Sequence, residues 1–426
     1  MKWLNPILGD IATIVGGSTP SRNREEYWNG SIPWLTPTDL PMPSEGIGEV
    51  SDTASKITEE GLAAISAQLL PVGTVLFSSR ATIGKIGISR VPLATNQGFA
   101  NLIPRNGVDE KYLAYCLLHF RHEIAALAGS TTFKEVTKTS LKKYRIPLPP
   151  LSEQRRIVEI LDQADALRKK RAEADAKAAR ILPSLFYKMF GDLATNPKGW
   201  PTKRLGDPQV ATINPRFSCD NVSADTEFSF VPMADVDEIW GRIVGTQVRT
   251  YSKVMRGFTS FKDGDVLFAK ITPCMQNGKA AIARNLVGGC GFGSTEFHVL
   301  RASAEATPEW LYALVRMPWF RHQAETSFTG TAGQQRVPVD FLVRYKVPCP
   351  PIDLQKTFAK HVTHIDEWVE RSEIIRRKVE NLFSVLLHRA FTGNLTAKWR
   401  EAHMKELLQE MEQQAKALKI RGSSGV

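Results

Sequence analysis

Short apolar runs separated by turns make up most of each half of the chain. Residues 74–78 (Thr-Val-Leu-Phe-Ser) and 265–269 (Asp-Val-Leu-Phe-Ala) are typical of buried strands, because each is a brief apolar run beside turn residues. Residues 110–127 and 308–326 are rich in aromatic and aliphatic residues and predict helices, which glycine- and threonine-rich segments then terminate. The pattern therefore predicts a globular part of the α+β class in each half.

A proline-rich joint and a long helical stretch follow each globular part. The joints, residues 147–150 and 348–351, should be stiff and extended, because proline fixes φ and disfavours helix in the residue before it. Ser152 and Asp353 come next and are predicted N-caps. From there each half is predicted to run helical for about 38 residues, roughly 57 Å at 1.5 Å per residue.

A heptad pattern in these stretches predicts that the two helices pack together as a coiled coil. Both seams are mostly apolar, and both are polar at the same step, at Arg171 and Ser372. The alternative is two separate amphipathic helices, each packed on its own globular core. The apolar positions predicted to form the spacer and partner interface are Ile160, Leu167, Ile181, Leu185, Ile365, Trp368, Ile375, Val379, Leu382 and Leu386.

The chain contains the same pattern twice. Four blocks recur in the same order, at offsets of 197, 191, 200 and 201 residues. They are Trp3-x4-Leu8-Gly9-Asp10 with Trp200-x4-Leu205-Gly206-Asp207, Gly73–Phe77 with Gly264–Phe268, Phe120-Arg121-His122 with Phe320-Arg321-His322, and Pro147–Gln154 with Pro348–Gln355. The offset drifts as small loop insertions would make it drift. The duplication favours a ligand that itself has two parts.

The ends of the two copies predict a closed, pseudo-cyclic arrangement. Both long helices end in Phe and a Gly-containing turn that leads to a Trp, and the chain begins with Lys2-Trp3. We therefore expect the N-terminus and residue 399 to lie close together. The predicted segments are a first recognition domain (1–150), a first spacer helix (151–191), a second recognition domain (192–351), a second spacer helix (352–392), and an extension (393–426) with a helix over 400–420 and a disordered end.

The composition narrows the class of protein. The 426 residues are 42% hydrophobic and 23% charged, which is usual for soluble proteins, and each half is long enough for its own core. The sequence has no run of 18 apolar residues and no apolar signal-peptide core at its start. Five scattered cysteines without a Cys-x-x-Cys pair favour the cytoplasm and argue against disulfides or a zinc site.

The net charge of +11 suggests a polyanionic partner. The excess of Lys and Arg over Asp and Glu is spread evenly, being 2 in residues 1–150 and 3 in each of 151–190, 191–350 and 351–426. No linear basic arm exists, so folding must assemble any DNA-binding face.

Signatures of an enzyme are weak. Gly84-Lys85 lacks the upstream glycine of a phosphate loop, and Asn214-Pro215-Arg216-Phe217 departs from the Asn-Pro-Pro-aromatic motif of amino-methyltransferases. Asp263, Asp265 and Lys270 resemble a nuclease cluster, but the first copy has no acid there, which favours a turn. The pairs His119/His122 and His361/His364 favour packing over metal binding. We predict no catalytic, metal-binding or cofactor-binding residue.

Three pairs of polar loops are the candidate contact sites. They supply cations, hydroxyls and amides that can bond phosphates and base edges, although each could be an ordinary solvated loop. They differ between the halves while their framework is alike, which fits two readers with different targets. The candidate DNA-binding residues are Arg80, Thr82, Lys85, Asn96, Gln97, Thr131, Thr132, Lys134, Lys270, Thr272, Gln276, Lys279, Thr295, Gln334, Gln335 and Arg336.

Three segments give the chain a resemblance to a known family. They resemble the conserved regions of type I restriction-modification specificity subunits. The segments are 146–154 (Ile-Pro-Leu-Pro-Pro-Leu-Ser-Glu-Gln), which precedes a long helix, 76–85 and 393–400. The match extends over nearly the whole chain, twice. The second copy departs from it at Cys349 and at Asp353-Leu354.

The resemblance implies two target-recognition domains joined by antiparallel spacer helices. Each domain would read one half of an asymmetric, bipartite site in double-stranded DNA. The chain would have no activity of its own within a prokaryotic, cytoplasmic complex of deoxyribonuclease and adenine methyltransferase. Two methyltransferase subunits and the restriction-translocase subunits would be its partners, and S-adenosylmethionine, ATP and magnesium would bind those partners. The alternatives are a helical scaffold that never touches DNA and a recognition subunit of a modification-only or phage-exclusion system.

Overall fold

The computed structural model describes residues 1–65, 68–129, 134–215, 222–245, 247–331 and 333–419. Contacts divide the chain into two units. Unit 1 comprises residues 1–170 and 376–426, and unit 2 comprises residues 171–375. The division cuts both long helices, so each unit contains a globular part together with portions of both helices.

The described residues form strands that belong to two similar sets. Those of unit 1 are β1 Ala12–Gly16, β2 Trp28–Leu35, β3 Ile47–Val50, β4 Ser55–Ile57, β5 Val75–Ser78, β6 Ile86–Ser89, β7 Ala94–Thr95 and β8 Phe99–Pro104. Those of unit 2 are β9 Thr202–Arg204, β10 Ala211–Ile213, β11 Glu227–Val231, β12 Gln247–Thr250, β13 Thr259–Lys262, β14 Val266–Ala269, β15 Ala280–Ile282, β16 Cys290–Gly293, β17 Phe297–Ala302 and β18 Lys346–Pro348.

The helices include two long ones, α6 and α12. In chain order they are α1 Leu8–Ile11, α2 Glu59–Ala63, α3 Glu110–His119, α4 Arg121–Ala126, α5 Lys138–Lys143, α6 Leu151–Ala178, α7 Ile181–Phe190, α8 Tyr251–Val254, α9 Pro308–Arg316, α10 Pro318–Glu325, α11 Val339–Arg344, α12 Ile352–Phe391, α13 Ala397–Ala402 and α14 Met404–Ala417.

Each unit combines a main sheet with a second sheet. In unit 1 the main sheet has the order β1-β8-β5-β6-β3 and the second sheet β4-β2-β7. In unit 2 the main sheet is β10-β17-β14-β15 and the second sheet β12-β11-β16-β13. The central hairpins β5-β6 and β14-β15 are antiparallel, and both predicted buried strands lie there. The α+β prediction and the internal duplication are therefore confirmed.

Helix α3 and the main sheet form the core of unit 1, and portions of both long helices complete it. Phe77 of β5 and Tyr112 of α3 are fully buried in the same cluster as Leu161 of α6 and Leu387 of α12. Unit 2 repeats this arrangement with Phe268, Trp310, Phe186 and Phe358. Burial of these apolar side chains fixes the globular parts against the helices.

The two long helices run antiparallel within each unit. In unit 1, Glu153 near the start of α6 contacts Thr396 beyond the end of α12, and Arg168 further along α6 binds Glu380 at 2.9 Å. In unit 2, Arg171 lies 5.6 Å from the Trp368 ring, and the later Phe186 lies 5.8 Å from Phe358. Residue numbers along α12 decrease as those of their contact partners along the first helix increase. The antiparallel prediction is therefore confirmed.

At several steps the buried side chain is the residue after the predicted seam position, although Ser372, at the predicted polar step, is buried. None of its ten apolar positions is buried, and five are 41–50% exposed: Leu167, Ile181, Trp368, Ile375 and Leu382. The buried residues are instead their neighbours Arg168, Val369 and Phe383. The pattern misled because Arg168 is polar, yet it is buried in ion pairs with Asp165 and Glu380 while the apolar Leu167 faces outward.

The first long helix is interrupted, and the two predicted N-cap residues lie inside the long helices. Ala179 and Arg180 separate α6 from α7, because Pro183 has no N–H to bond the carbonyl of Ala179. Since α6 and α12 begin at Leu151 and Ile352, Ser152 and Asp353 lie in the first turns and are not N-caps. In α6 the N–H of Ser152 donates instead to the Glu410 carboxylate, at 2.9 Å.

The C-terminal helix α14 packs on unit 1. Leu407 and Leu418 are buried, and the Gln414 amide donates to the carbonyls of Gly107 and Pro149 at 2.8 and 3.2 Å. The Gln154 amide of α6 bonds the same two carbonyls. The amphipathic helix predicted for residues 400–420 forms as α13 and α14, and the predicted disordered end, 421–426, lies outside the described residues.

Two kinds of feature are absent from the described ranges. No helix within them is long and apolar enough to cross a membrane. No cluster of three or more His, Cys, Asp or Glu side chains there could hold a metal ion. His119 is packed as predicted, stacked on Phe391 with the ring centroids 5.3 Å apart.

Candidate nucleic-acid interface

The predicted loops begin where the central strands of the main sheets end. Asp265 precedes β14 as a turn residue, and its buried carboxylate accepts two bonds from Arg301 at 2.8 and 2.7 Å. After β5, the Ser78 hydroxyl donates to the Thr82 carbonyl and accepts from the Lys85 N–H. These internal bonds fix the loop conformation, and the Asp-Lys pattern of unit 2 is a turn, as predicted.

Lys85 and Lys279 occupy equivalent places and hold equivalent turns. The Lys85 ammonium donates to the carbonyls of Pro37 and Leu40 at 2.8 and 2.9 Å. The Lys279 ammonium donates to the Met233 carbonyl at 3.3 Å. Both carbonyl sets belong to the 3-10 turn after the first strand of the second sheet. A structural role thus occupies both lysines, and their predicted contact with DNA remains a prediction.

The three predicted loops of unit 1 meet at one edge of its sheets. The Ser79 N–H donates to the Gly98 carbonyl at 2.8 Å, and the Val136 N–H donates to the Ser79 carbonyl at 3.0 Å. Arg80 forms an ion pair with Glu135 at 2.9 Å, with 46% of the Arg80 side chain exposed. The segments after β5, before β8 and before α5 are therefore side by side.

The same three segments meet in unit 2 with different side chains. Lys270 replaces Ser79: its N–H donates to the Glu296 carbonyl and its carbonyl accepts from the Val337 N–H, both at 2.9 Å. Thr272 exchanges backbone and side-chain bonds with Gln335. The two units thus share a backbone framework and differ in what it presents.

The ion pairs at the two clusters are arranged differently. The backbone bridge Arg80–Glu135 of unit 1 corresponds to the bridge Ile271–Arg336 of unit 2. Arg336 donates two bonds to Glu296, both at 2.9 Å. These bonds hold the pKa of the Glu296 carboxyl below its usual range and raise the pKa of the Arg336 guanidinium. The ion-paired arginine therefore lies on a different loop in each unit.

The remaining predicted residues fall into three groups. Thr82, Gln97, Lys134, Gln276, Thr295 and Gln334 are exposed. Asn96, Lys270, Thr272, Gln335 and Arg336 are partly buried, and the Asn96 side chain accepts from the Gly98 N–H at 2.9 Å. Thr131 and Thr132 lie outside the described residues. The exposed members can reach a ligand without disturbing the loop framework.

Sequence reasoning missed the second sheet of each unit. The Thr19 hydroxyl bonds the side chain of Gln97, and the Trp34 indole donates to the Ser18 carbonyl at 3.0 Å, which joins the second sheet of unit 1 to the loops. In unit 2 the Arg249 guanidinium lies 3.4 Å from the Phe230 ring centroid. These residues belong to no repeated block, so only their alternating apolar pattern could have identified them.

One family model matches the N-terminal part of the chain. Residues 2–175 match the model described as the type I restriction modification DNA specificity domain. That range contains the globular part of unit 1 and nearly all of α6.

Curated relatives include several specificity subunits of type I restriction enzymes. The MjaIX subunit of Methanocaldococcus jannaschii is 36% identical over 222 residues, covering 48% of this chain and 51% of its own. The EcoEI subunit of Escherichia coli is 34% identical over 212 residues, covering 48% and 35%. The chain thus spans about half or less of the length of these two relatives. The StySPI subunit of Salmonella potsdam is 22% identical but is aligned over 93% of this chain and 90% of its own.

Solved structures share the fold. One, described as the structural basis of complex assembly and conformational transition of the type I R-M system, is matched with a TM-score of 0.52 and 17% identity. The match covers 92% of this chain and 98% of that one. The S subunit from M. genitalium gives 0.51 and 13%, covering 92% and 96%. Residues 2–175 therefore match the type I restriction modification DNA specificity domain by sequence, and 92% of the chain shares the fold of a solved S subunit of such a system.

Proposed function

We propose that this chain gives a type I restriction-modification complex its DNA sequence specificity, with each unit reading one half of an asymmetric, bipartite site. The observation that carries the proposal is the pair of loop clusters, which have one backbone framework and different side chains. The exposed Arg80 and Lys134 would be the cations of the first reader, and the partly buried Lys270 and Arg336 those of the second. Joining two weak readers in one chain raises affinity through effective concentration.

The two readers should not share a target. Base edges in the major groove are distinguished by patterns of donors and acceptors, so different side chains select different bases. Unit 1 exposes Thr82 and Gln97 where unit 2 exposes Gln276 and Thr295. The half-sites should therefore differ in sequence, and the complete site should not be a palindrome.

The exposed apolar residues of the long helices would dock methyltransferase subunits. Leu167, Ile181, Ile375 and Leu382 are 46–50% exposed, although the heptad pattern alone had placed them in the seam. Large apolar side chains aligned on a helix surface mark protein interaction sites more often than isolated ones do. Restriction-translocase subunits would join through the methyltransferases, and S-adenosylmethionine, ATP and magnesium would bind those partners while this chain has no activity of its own.

The paired helices would also set the distance between half-sites. Inserting one heptad at equivalent places in α6 and α12 preserves the seam, because the pattern repeats every seven residues. The preferred spacer should lengthen while both half-sites stay unchanged. An unchanged spacer would show that the helices do not determine it.

A gel shift with the complete assembly tests the proposal. The chain, assembled with its methyltransferase partner at about 150 mM salt to suppress non-specific contacts, should select one duplex over scrambled versions of it. The matched variants are Arg80→Ala and Arg344→Ala, an exposed arginine on α11 away from the loops. The first should weaken selective binding and the second should not. Equal binding of all duplexes would favour the scaffold alternative, which the DNA-specificity description of the family model does not favour.

A further inference from the structure

One surface of unit 2 has the chemistry of a nucleic-acid contact, although it lies outside the predicted loops. It comprises residues 247–258, from β12 through α8 to the turn before β13, and is called the basic ridge below. The ridge contains Arg249, Lys253 and Arg256 and no acidic residue. Val248, Met255 and Phe258 are 45%, 48% and 37% exposed. Large apolar side chains among cations are unusual on a free surface.

An aromatic cluster holds the ridge in place. Phe230 of β11 packs edge-on against Phe258 with the ring centroids 4.9 Å apart, and Arg249 lies over the Phe230 ring. Tyr251 packs on Phe228 at 5.7 Å and Val254 is buried beneath α8. Because the ridge is anchored from below, it presents its exposed side chains at fixed positions.

Strand register puts both ends of the ridge beside the loop cluster of unit 2. Gln247 is paired with Phe230, and the next residue of β11, Val231, accepts a bond from the Ser294 N–H at 3.1 Å. Thr259, which follows the ridge, is paired with Gly293 at the end of β16. The loop that starts at Ser294 carries Thr295 and Glu296, so the ridge extends the candidate interface. Asp235 is a further acid at this end, and it accepts from the Gln247 amide at 3.2 Å.

The equivalent surface of unit 1 has the opposite character. Pairing of Ser55 with Trp34 in unit 1 corresponds to pairing of Gln247 with Phe230 in unit 2. On that register Arg249, Lys253 and Arg256 correspond to Ile57, Gly61 and Ala64. Unit 1 has one cation there, Lys56, which is paired with Asp52 at 3.1 Å, and it carries the acids Glu59 and Glu60. A shared folding requirement does not explain cations that only one copy has.

We propose that the basic ridge of unit 2 is a second DNA-contacting surface that unit 1 lacks. Lys253 and Arg256 bind backbone phosphates, and Met255 and Phe258 contact the sugars next to them. Phosphate contacts position a protein on the duplex without reading sequence, and apolar side chains inserted beside them widen or kink the groove. The ridge therefore adds affinity at one half-site and leaves the choice of bases to the loops. This inference rests on the proposed function.

The salt dependence of binding tests the ridge. The double variant Lys253→Ala plus Arg256→Ala of the full chain would be assembled with the methyltransferase subunits. Its binding to a duplex that carries the site would then be measured over a series of salt concentrations. The slope of log K against log salt should become shallower by roughly 0.9 for each phosphate that the variant no longer neutralises, and the preferred sequence should not change. Met255→Ser should weaken binding by about tenfold, because it removes one buried apolar contact and puts a hydroxyl in its place.

Controls separate the failure of this inference from failure of the proposed function. Arg344→Ala removes an exposed cation of the same unit away from the ridge, and its slope should match that of the unmodified chain. If Arg80→Ala weakens binding while the ridge variants do not, the ridge is not a DNA contact and the proposed function stands. If the unmodified complex selects no sequence, the proposed function itself fails. Ridge variants that assemble poorly, yet bind DNA normally once assembled, would instead assign the ridge to a protein partner.

Discussion

The two units hold equivalent tryptophans, Trp3 and Trp200, in chemically different ways. In unit 2 the chain runs on from α7 through residues 191–200, and the Trp200 indole donates to the Phe190 carbonyl at 2.8 Å. In unit 1 the corresponding tryptophan, Trp3, comes from the other end of the chain and donates to the buried Glu153 carboxylate at 2.9 Å. Thr396 and Arg400 bond the same carboxylate at 2.6 and 2.8 Å.

In unit 1 the buried Glu153 carboxylate holds Trp3 in place, whereas in unit 2 the continuous peptide chain holds Trp200. Leu354 is the counterpart of Glu153 and packs against the apolar core of unit 2, because a continuous chain needs no ion pair to hold its tryptophan. The cation that covers the indole is also replaced, since Arg400 lies 4.6 Å from the Trp3 ring while Lys198 lies 6.0 Å from that of Trp200. The predicted proximity of the N-terminus and residue 399 is thereby confirmed.

Removing the Glu153 carboxylate should have the largest effect on the free energy of unfolding. Glu153→Ala leaves the Arg400 guanidinium and two other donors without their buried acceptor, and we expect a loss of about 4 kcal/mol in the free energy of unfolding. Asn196→Ala is the matched variant in unit 2, where the Asn196 side chain exchanges two bonds with the Trp200 backbone, and it should cost about 1 kcal/mol. Urea denaturation measures both, and equal losses would mean that the two joints do not differ.

The buried and exposed sides of α12 should respond differently to truncation. Leu387 is 6% exposed and belongs to the core of unit 1, while Leu382 is 46% exposed. We expect Leu387→Ala to cost about 3 kcal/mol and Leu382→Ala less than about 0.5 kcal/mol. Thermal melting of the isolated chain distinguishes them. A large effect at Leu382 would restore the seam that the heptad pattern predicts.

The α14 contact exists in unit 1 and should make a smaller contribution. Gln414 is 5% exposed and duplicates the bonds that Gln154 already makes to Gly107 and Pro149. Gln414→Ala should therefore lower the free energy of unfolding by about 1 kcal/mol, and the exposed Gln409→Ala on the same helix should leave it unchanged. Faster hydrogen exchange across α14 in the first variant alone would be the expected signature. Identical exchange in both would show that Gln414 does not hold the helix.

The ion pair of the unit 2 loops should give the smallest effect, visible as a pH dependence. Because Arg336 lowers the pKa of Glu296 in the folded state, the unfolded chain binds the proton more readily. The stabilisation is complete above the unfolded value of about 4.3 and is lost as the pH falls from there through the folded value. At this partly exposed site it should amount to less than about 1 kcal/mol.

A comparison of two chains checks whether the stabilisation by the Glu296–Arg336 ion pair is lost as the pH falls. Unfolding of the unmodified chain and of Glu296→Gln, measured from about pH 6 downwards, should differ at the upper end and converge as the pH falls. The difference should also shrink at high salt, because surface ion pairs are screened. A difference that grows towards low pH would contradict the assignment.

The sequence predicted the features that depend on periodicity and repetition. The α+β class, the two copies, the central strands and the antiparallel helices all follow from patterns that local burial imposes. The break at Ala179–Arg180 was also readable, because Pro183 stands where a helix needs an N–H. That proline was overlooked because the heptad continues through it.

Other features depend on contacts between residues that are distant in the sequence, which a local sequence pattern does not predict. Arg168 is buried because Asp165 and Glu380 neutralise it, and only the tertiary structure brings Glu380 there. Lys85 and Lys279 resemble DNA contacts in sequence, but the carbonyls that they bind come from a turn more than forty residues earlier. The described loop residues lie beside one another because each group directly precedes or follows a strand or helix of the shared framework, and their contact with DNA stays a prediction.

Selection of bound sequences measures most directly whether the two units read different DNA. The assembled complex would be used to select duplexes from a random pool, first with the unmodified chain and then with Gln276→Ala plus Thr295→Ala in the unit 2 loops. We predict an asymmetric, two-part site for the unmodified chain, and for the variant a change confined to one part. A palindromic or continuous site, or a change in both parts, would contradict the assignment of one half-site to each unit.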